Sequence, residues 1–376
     1  MNFSSIHSVV DLCQALVQIP SENPSGSTVS HGEEAIARFV GEFLQSIGAQ
    51  VEYEDIGPGR PNVYGLWPVP PGATQRILFA PHLDTVTVDG MTVDPFLGKP
   101  LDGRLYGRGS SDTKGPMAAM LWALKSVDLS RLNVAVGFAA LADEEFEQLG
   151  AKACAVRKMA DFAIVGEPTS LDVVYTHKGT AWIEIETRGR SVHASIPETG
   201  INAIDRMMDT LKILHERFPE ICPVQPDPVL GKPTLSTGRI RGGAKINVVP
   251  DRCYAELDIR ILPGQESMAT AVAEFFVQHQ VPAIVKPIKT STPLYTSPDN
   301  PFIRKFTALG SRLTGANWYC DAAFFALEGI PAIAIGPGSI AQAHTADEFI
   351  EIAELERGAE FFANYLLSFD HGRLKA

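Results

Sequence analysis

Residues 76–84 read Arg-Ile-Leu-Phe-Ala-Pro-His-Leu-Asp, an unbroken apolar run, Arg76–Pro81, that ends in His82 and Asp84. A strand with one wet face alternates apolar and polar residues, whereas a strand covered on both faces is apolar at successive positions. This run is of the second kind, and so are Asn133–Leu141 and Pro331–Ile335; Asp161–Val165 is a further short apolar run. Between them lie helix-like stretches such as Ser4–Val17 and Glu33–Ser46, with apolar residues at three- and four-residue spacing. The two textures together predict an α/β fold, a mixed, largely parallel sheet between helices.

The strand ends carry the chemistry. Arg76–Pro81 runs into His82-Leu83-Asp84, Asn133–Leu141 into Asp143-Glu144-Glu145, Asp161–Val165 into Gly166-Glu167-Pro168, and Pro331–Ile335 into a Gly-Pro-Gly loop followed by His344. Ligands of open α/β sheets bind outside the carboxyl ends of the strands, so these ends point at one crevice. The Gly-rich stretch Tyr106–Gly115 precedes a helix-like run from Pro116, and its flexible backbone is able to bring Asp112 into the same place. Clustered carboxylates repel unless cations sit among them. Imidazoles mixed with carboxylates suit zinc, manganese or cobalt better than calcium or magnesium. Taken singly, a strand-end Asp or His is a turn former or helix cap, and Glu144-Glu145 a solvated face.

The middle of the chain has another texture. Ile183 and Ile185 alternate with Glu184 and Glu186, and Ala255, Leu257, Ile259 and Ile261 alternate with Glu256, Asp258 and Arg260. With helices near Gly200–Arg217 and Glu266–Gln280 and strands near Thr234–Arg241 and Pro282–Lys286, residues 178–290 read β-α-β-β-α-β, a ferredoxin-like α+β pattern inserted into the outer domain. That outer domain is expected to comprise 1–177 and 291–376. Phe218–Pro233, with its five prolines, is expected as a long connection within the insert.

Composition narrows the partners. Of 376 residues 45% are hydrophobic, enough for a buried core, and 32 Lys and Arg against 44 Asp and Glu leave a net charge of −12. That charge repels phosphate backbones and anionic lipid, so neither nucleic acid nor membrane is expected as a partner. Cys13, Cys154, Cys222, Cys253 and Cys320 are dispersed and form no C-x-x-C, as for free thiols in a reducing compartment. The first basic residue is Arg38, which excludes a secretory n-region, and the longest uncharged run, Gly329–Ala346, holds Pro331, Pro337 and His344 and is unsuited to span a bilayer. A cytoplasmic protein is expected. Competing catalytic motifs are absent: there is no G-x-S-x-G and no phosphate loop, and neither His31-Gly32-Glu33-Glu34 nor His215-Glu216 completes H-E-x-x-H. His7, His279 and His371 lack a carboxylate context and are expected at the surface.

In this order the motifs Pro81–Val86, Gly107–Gly115, Asp143–Glu145 and Gly166–Pro168 resemble the di-zinc amidohydrolases, the family of acetylornithine deacetylase, succinyl-diaminopimelate desuccinylase, aminoacylase and glutamate carboxypeptidase. The resemblance extends from residue 81 to 349 and implies a metal-dependent hydrolase of N-acyl amino acids. By it, His82, Asp112 and Glu167 hold one divalent ion and Asp112, Glu145 and His344 a second, zinc first with cobalt or manganese as substitutes. Asp84 orients the His82 ring and Glu144 is the general base. The insert is implied to be a lid or dimerisation domain whose His193, in Arg190–Pro197, stabilises the oxyanion across a homodimer. Asn247 and Arg260 are implied as substrate contacts, with a bland alternative for Arg260, pairing to an acidic neighbour.

The run Gly336-Pro337-Gly338-Ser339-Ile340-Ala341-Gln342-Ala343-His344-Thr345-Ala346-Asp347-Glu348 resembles the acetylornithine deacetylase branch, and backbone N–H groups at Gly336 and Gly338 would bind the substrate carboxylate. The chain departs from the family before this loop, with Trp318-Tyr319-Cys320-Asp321-Ala322-Ala323 where members often carry Gly-Thr-Glu-Ala. That leaves desuccinylase-like, carboxypeptidase-like or other N-acyl amino acid hydrolysis as alternatives. A catalytically inactive metal-binding protein of the same fold would be expected to lack Glu144 or a ligand, and all are present.

Overall fold

The apolar runs become strands because each is covered on both sides. The computed structural model describes residues 3–25, 31–222 and 226–370; His371 lies outside them. The strands Ala135–Ala140, Arg76–Pro81, Phe162–Gly166 and Ala332–Ala334 lie side by side in that order, each parallel to its neighbour. Pro61–Leu66 and then Gln50–Asp55 extend one edge antiparallel, and Val173–His177 pairs antiparallel with Ala332–Ala334. The sheet is mixed with a parallel centre, as its texture predicts.

Alternate residues of those strands meet different covers. Ile77, Phe79, Val136, Phe138, Phe162, Ile164 and Ile333 share one core with the helices Val9–Val17, Glu34–Ser46, Lys114–Ser126, Pro301–Ala308 and Ile352–Leu367. The opposite face is lined by the smaller Ala80, Ala135, Gly137, Ala139, Ala163, Ala332 and Ala334, and the short helices Leu149–Val156 and Ala322–Leu327 pack on each other and on strands of this sheet. The helix expected from Ser4 is shorter: Phe3–Ser5 is a 3₁₀ turn and the α-helix starts at Val9, because Ser8 caps it by accepting from the Asp11 N–H at 3.1 Å. Apolar spacing alone does not register such a cap.

Two compact units result. One comprises Met1–Tyr175, Thr296–Thr314 and Cys320–Ala376, the other Thr176–Tyr295 and Gly315–Tyr319. Residues 178–290 thus fall in the second unit, which also takes Trp318 and Tyr319 from the stretch expected in the outer domain. Its sheet runs Thr234–Gly242, Arg252–Ile261, Gly179–Arg188, Ala283–Ser291, every neighbour antiparallel. Ile183, Ile185, Ala255, Leu257, Ile259 and Ile261 form a core with Met207 and Leu214 of the helix Ala203–Ile221 and Val272 and Phe276 of Met268–Gln278. This is the ferredoxin-like order.

Three expectations shift here. Glu186, on the polar side of its strand, is 2% exposed, enclosed by Arg188 Nε at 2.9 Å and Lys286 Nζ at 3.1 Å. The connection from Phe218 begins later, since the helix runs through Pro219 to Ile221; a proline in a last turn removes one N–H, and Cys222 N still donates to Phe218 O at 3.2 Å. His279 is half-buried, its ring centroid 4.4 Å from that of Phe275 and tilted to it, with Arg217 Nη1 3.0 Å from its Nδ1 and Glu220 3.6 Å from its Nε2, because two helices bring together groups that are remote in sequence. The five cysteines are buried and form no disulfide.

Gly150, at the start of Leu149–Val156, admits no side chain: a Cβ there would lie 2.3 Å from Ala142 O and 2.5 Å from Asn62 Oδ1. Gly150→Ala is expected to lower the unfolding free energy in urea by about 1–3 kcal/mol, the usual cost of overpacking. An unchanged midpoint would show that this contact is not tight.

Candidate metal centre

Parallel neighbours end on the same edge, and the register makes the ends level. Pro81 faces Gly166, Val165 faces Ala334, and an isolated parallel bridge joins His82 to Leu141. The residues that follow, His82 to Asp84, Asp143 to Glu145 and Glu167, therefore emerge together.

His82 is 1% exposed and its Nδ1 donates to the Asp84 carbonyl at 2.9 Å. A carbonyl accepts only, so the proton belongs on Nδ1 and the Nε2 lone pair, 3.1 Å from Asp112 Oδ1, is the one available to a metal. The Asp84 carboxylate is 3.6 Å from the same Nδ1 and makes its hydrogen bonds elsewhere: Oδ1 accepts from Glu144 N at 3.0 Å and Oδ2 from Glu145 N at 3.1 Å. The expected ring-orienting role of Asp84 thus falls to its carbonyl, while its carboxylate holds the two glutamates' backbone. His344, in the left-handed region at φ 63°, points Nε2 at Glu145 Oε1 (3.2 Å) and Asp112 Oδ2 (3.4 Å).

His82, Asp112 and Glu167 each offer one ligand atom within 4.8 Å of the others, and so do Asp112, Glu145 and His344, with Asp112 common to both groups. Glu167 Oε1 is buried without a hydrogen-bond partner, and among the described residues no Lys or Arg pairs with Asp112, Glu144, Glu145 or Glu167. Oxygen and imidazole donors, converging on space that no Lys or Arg enters, fit a pair of divalent ions.

Asp112 is held by a residue quoted in the sequence only as part of a longer run. Glu348 Oε1 accepts from Ser111 N and Asp112 N, both at 3.0 Å, and Oε2 accepts from Gly109 N at 3.1 Å and Arg108 Nη1 at 2.8 Å. Gly109 needs φ +81°, and a Cβ would press on Thr85 and Lys114. The glycines of this loop let it approach; Glu348 fixes it. Asp321, the departure from the family pattern, is fully buried with both carboxylate oxygens unpartnered, and burial pushes it up to about 7. Burial, together with the charges of Glu167, Asp321 and Glu145, raises Glu144 well above the usual carboxylate range against the pull of His82.

Gly336 does not serve as the expected anion donor. Its N–H is given to Thr169 Oγ1 at 3.2 Å, and a Cβ would sit 2.7 Å from Glu167 O, so its lack of side chain is a packing requirement beside a candidate ligand. Gly338, at φ +89°, has its carbonyl bound by Ser170 N at 2.8 Å.

In the second unit His193 is exposed, and its segment pairs with that of Asn247: His193 bridges Val248, and Ala194 N donates to Asn247 O at 3.1 Å. Ser195 N donates to His193 Nδ1 at 3.2 Å, which places the proton of the neutral ring on Nε2. Arg260 Nη2 is paired with Asp258 at 3.0 Å, the bland alternative for this residue. Trp318 lies against His177, ring centroids 6.5 Å apart. Sequence patterns missed Asn23, Glu33 and Arg60, which are buried or nearly so and linked to Asp143; polar residues that pack at zero exposure, as Glu33 does, leave no periodic signal.

The sequence pattern of Peptidase family M20/M25/M40 matches residues 78–368. The acetylornithine deacetylase of Proteus mirabilis is 32% identical, over 96% of this chain and 96% of its own length. Among solved structures, aminopeptidase PepT of Bacillus cereus is similar with a TM-score of 0.76 at 22% identity, covering 95% of this chain and 97% of that one. A dinuclear metal-binding peptidase of the M20 family from Bacillus subtilis reaches 0.68 at 16% identity, with 96% and 97% covered. At such identities the structures are alike in fold.

The two imidazoles hold protons that incoming cations must displace. Burial alone would lower His82, but hydrogen bonds to Asp112 and Asp84 raise it well above its ordinary value; hydrogen bonds to Asp112 and Glu145 raise His344 to about 10. Zinc titrated calorimetrically into chelator-treated protein at pH 7 is therefore expected to release protons, seen as a dependence on buffer ionisation heat, and to bind more tightly as pH rises. In the chelated protein the protonated rings contribute stability that is complete below the unfolded value of about 6.5. It is lost as pH climbs through the folded values, so melting temperature falls toward alkaline pH. Binding without proton release would contradict this arrangement.

Proposed function

The chain belongs to peptidase family M20/M25/M40, and from that premise we propose that it hydrolyses the amide bond of an N-acyl amino acid, deacetylation of an N-acetylornithine-like substrate first. Such an activity would serve arginine biosynthesis. The observation that carries the reading is the placement of Glu144 beside Glu145: both reach His82, Glu145 also joins Asp112 and His344, and Glu144 is left raised well above the usual carboxylate range with no Lys or Arg paired to it among the described residues. The acetylornithine deacetylase relatives support the acyl group and the acceptor.

His82, Asp112 and Glu167 would hold one divalent ion and Asp112, Glu145 and His344 the other, zinc in the first instance. Bound there, the ions supply Lewis acidity, lowering the pKa of water toward ~7 and polarising the amide carbonyl. Glu144 takes a proton from the attacking water on its carboxylate and returns it to the leaving nitrogen as the C–N bond breaks, giving a carboxylic acid and an amine, which end as carboxylate and ammonium once the acid's proton passes to the amine. Its raised affinity for protons suits a group that must both accept and donate near neutrality. In a homodimer formed through the inserted unit, His193 of the partner subunit would aim Nε2–H at the oxyanion. Asn247 and Arg260 would contact the substrate carboxylate, Arg260 after exchanging Asp258 for it. Asp321 and Trp318, in the stretch that departs from the family pattern, would tune which acyl group is accepted.

A panel of N-acetyl, N-succinyl and N-formyl amino acids assayed for released amine tests the reading, and the absence of any amine release by zinc-loaded protein would sink it. Glu144→Gln is expected to retain zinc yet lose about 10²–10⁴ of the rate, the scale of general acid–base catalysis. His193→Ala is expected to lower kcat by about 10²–10³, the loss typical of an oxyanion donor, with KM little changed. Unchanged kcat in that variant would remove His193 from the mechanism.

A further inference from the structure

Glu144 and Glu145 stand on a turn, and what holds that turn lies outside the candidate ligands. The turn pivots on Asp143, whose φ of 72° puts a non-glycine residue in the left-handed region, at about 1–2 kcal/mol. The Asp143 side chain is fully buried and both of its oxygens have partners: Oδ1 is ion-paired with Arg60 Nη2 at 2.8 Å and accepts from Asn23 Nδ2 at 3.0 Å, and Oδ2 accepts from Leu149 N at 3.3 Å. Asn23 Nδ2 also donates to Asp84 Oδ2 at 2.8 Å, while Asn23 Oδ1 accepts from Ser25 N at 3.0 Å, so the amide has one possible orientation. Asp84 then accepts the Glu144 and Glu145 N–H groups. At the far end, Arg60 Nε lies 2.9 Å from Glu33 Oε2 and Nη2 2.5 Å from Glu33 Oε1.

The chain of contacts therefore runs Glu33, Arg60, Asp143, Asn23, Asp84, and ends on the backbone of Glu144 and Glu145. Glu33, Asp84 and Asp143 are buried carboxylates that would repel, and among the described residues Arg60 is the one Lys or Arg paired with any of them. Its planar fork spans two carboxylates at once, which the point charge of a lysine does not reproduce.

We propose that Arg60, acting through Asp143 and Asn23, is a positioning residue that fixes the turn bearing Glu144 and Glu145, and with it the second metal position. The proposal rests on the amide-hydrolase reading for its kinetic arm and on geometry alone for its metal arm. Outer partners of metal ligands typically change affinity or activity by about 10–100-fold when removed. Arg60 is 11% exposed, so water is able to fill the space left by a shorter side chain.

The test uses Arg60→Met, the milder Arg60→Lys and Asn23→Ala, each checked for folding by circular dichroism. Zinc affinity is read by competition with a chromophoric chelator, and kcat and KM on the best substrate of the panel. In folded Arg60→Met, one of two zinc ions is expected to bind about 10–100-fold more weakly and kcat to fall by a similar factor, KM staying within about threefold. Arg60→Lys should be intermediate. The double variant Arg60→Met/Asn23→Ala should be no worse than about threefold beyond the weaker single, because residues of one network are not additive. Wild-type zinc affinity and kcat in folded Arg60→Met or Arg60→Lys, with only the melting temperature lowered, would overturn the proposal. If neither Arg60 variant folds, Asn23→Ala decides by the same readouts. Should the wild-type chain hydrolyse no amide, the function fails while the zinc arm still decides the positioning.

Discussion

Like charges do not gather unless something holds them, and the first unit is organised around that constraint. Asp112, Glu144, Glu145 and Glu167 approach one another with His82 and His344 because parallel strands in level register discharge their C-terminal residues at one edge. The imidazoles, protonated in the absence of a cation, offset part of the repulsion, and divalent ions would offset the rest.

Asp112 and Glu145 are anchored by their backbone rather than by their carboxylates, and His82 by its other ring nitrogen. Glu348 takes the amides of Ser111 and Asp112, Asp84 those of Glu144 and Glu145, and the Asp84 carbonyl the Nδ1–H of His82. This division leaves the contacts of the Asp112 and Glu145 carboxylates to the two Nε2 atoms alone, which a metal ion would replace, at the cost of further buried carboxylates. Those are met in turn by Arg108 at Glu348 and by Arg60 at Asp143. Buried charges of this kind persist where paired, and removing one partner leaves the other uncompensated.

The second unit is governed by a simpler rule. One face of its antiparallel sheet packs on two helices, so alternation is strict on Arg252–Ile261, and the opposite face carries a ladder of Arg, Lys and Glu in which Glu184, Glu186 and Glu256 face Arg241, Arg252 and Lys286. His193 and Asn247 sit together on paired loops of the same unit.

Much of this was legible in the residues alone. Doubly apolar runs mark strands buried on both faces, strict alternation marks the other sheet, and acidic and imidazole residues directly after apolar strands mark a crevice; each signal is local, and so sequence determined the fold class and the crevice, while the division of its residues into two ligand sets came from the family resemblance. What only tertiary structure decided is how those residues are held and which backbone groups remain available. The Asp84 carboxylate serves the amides of Glu144 and Glu145, the Gly336 N–H is taken by Thr169, and Arg60 lies behind Asp143. These are contacts between segments far apart in the chain, set by packing geometry that no periodicity encodes.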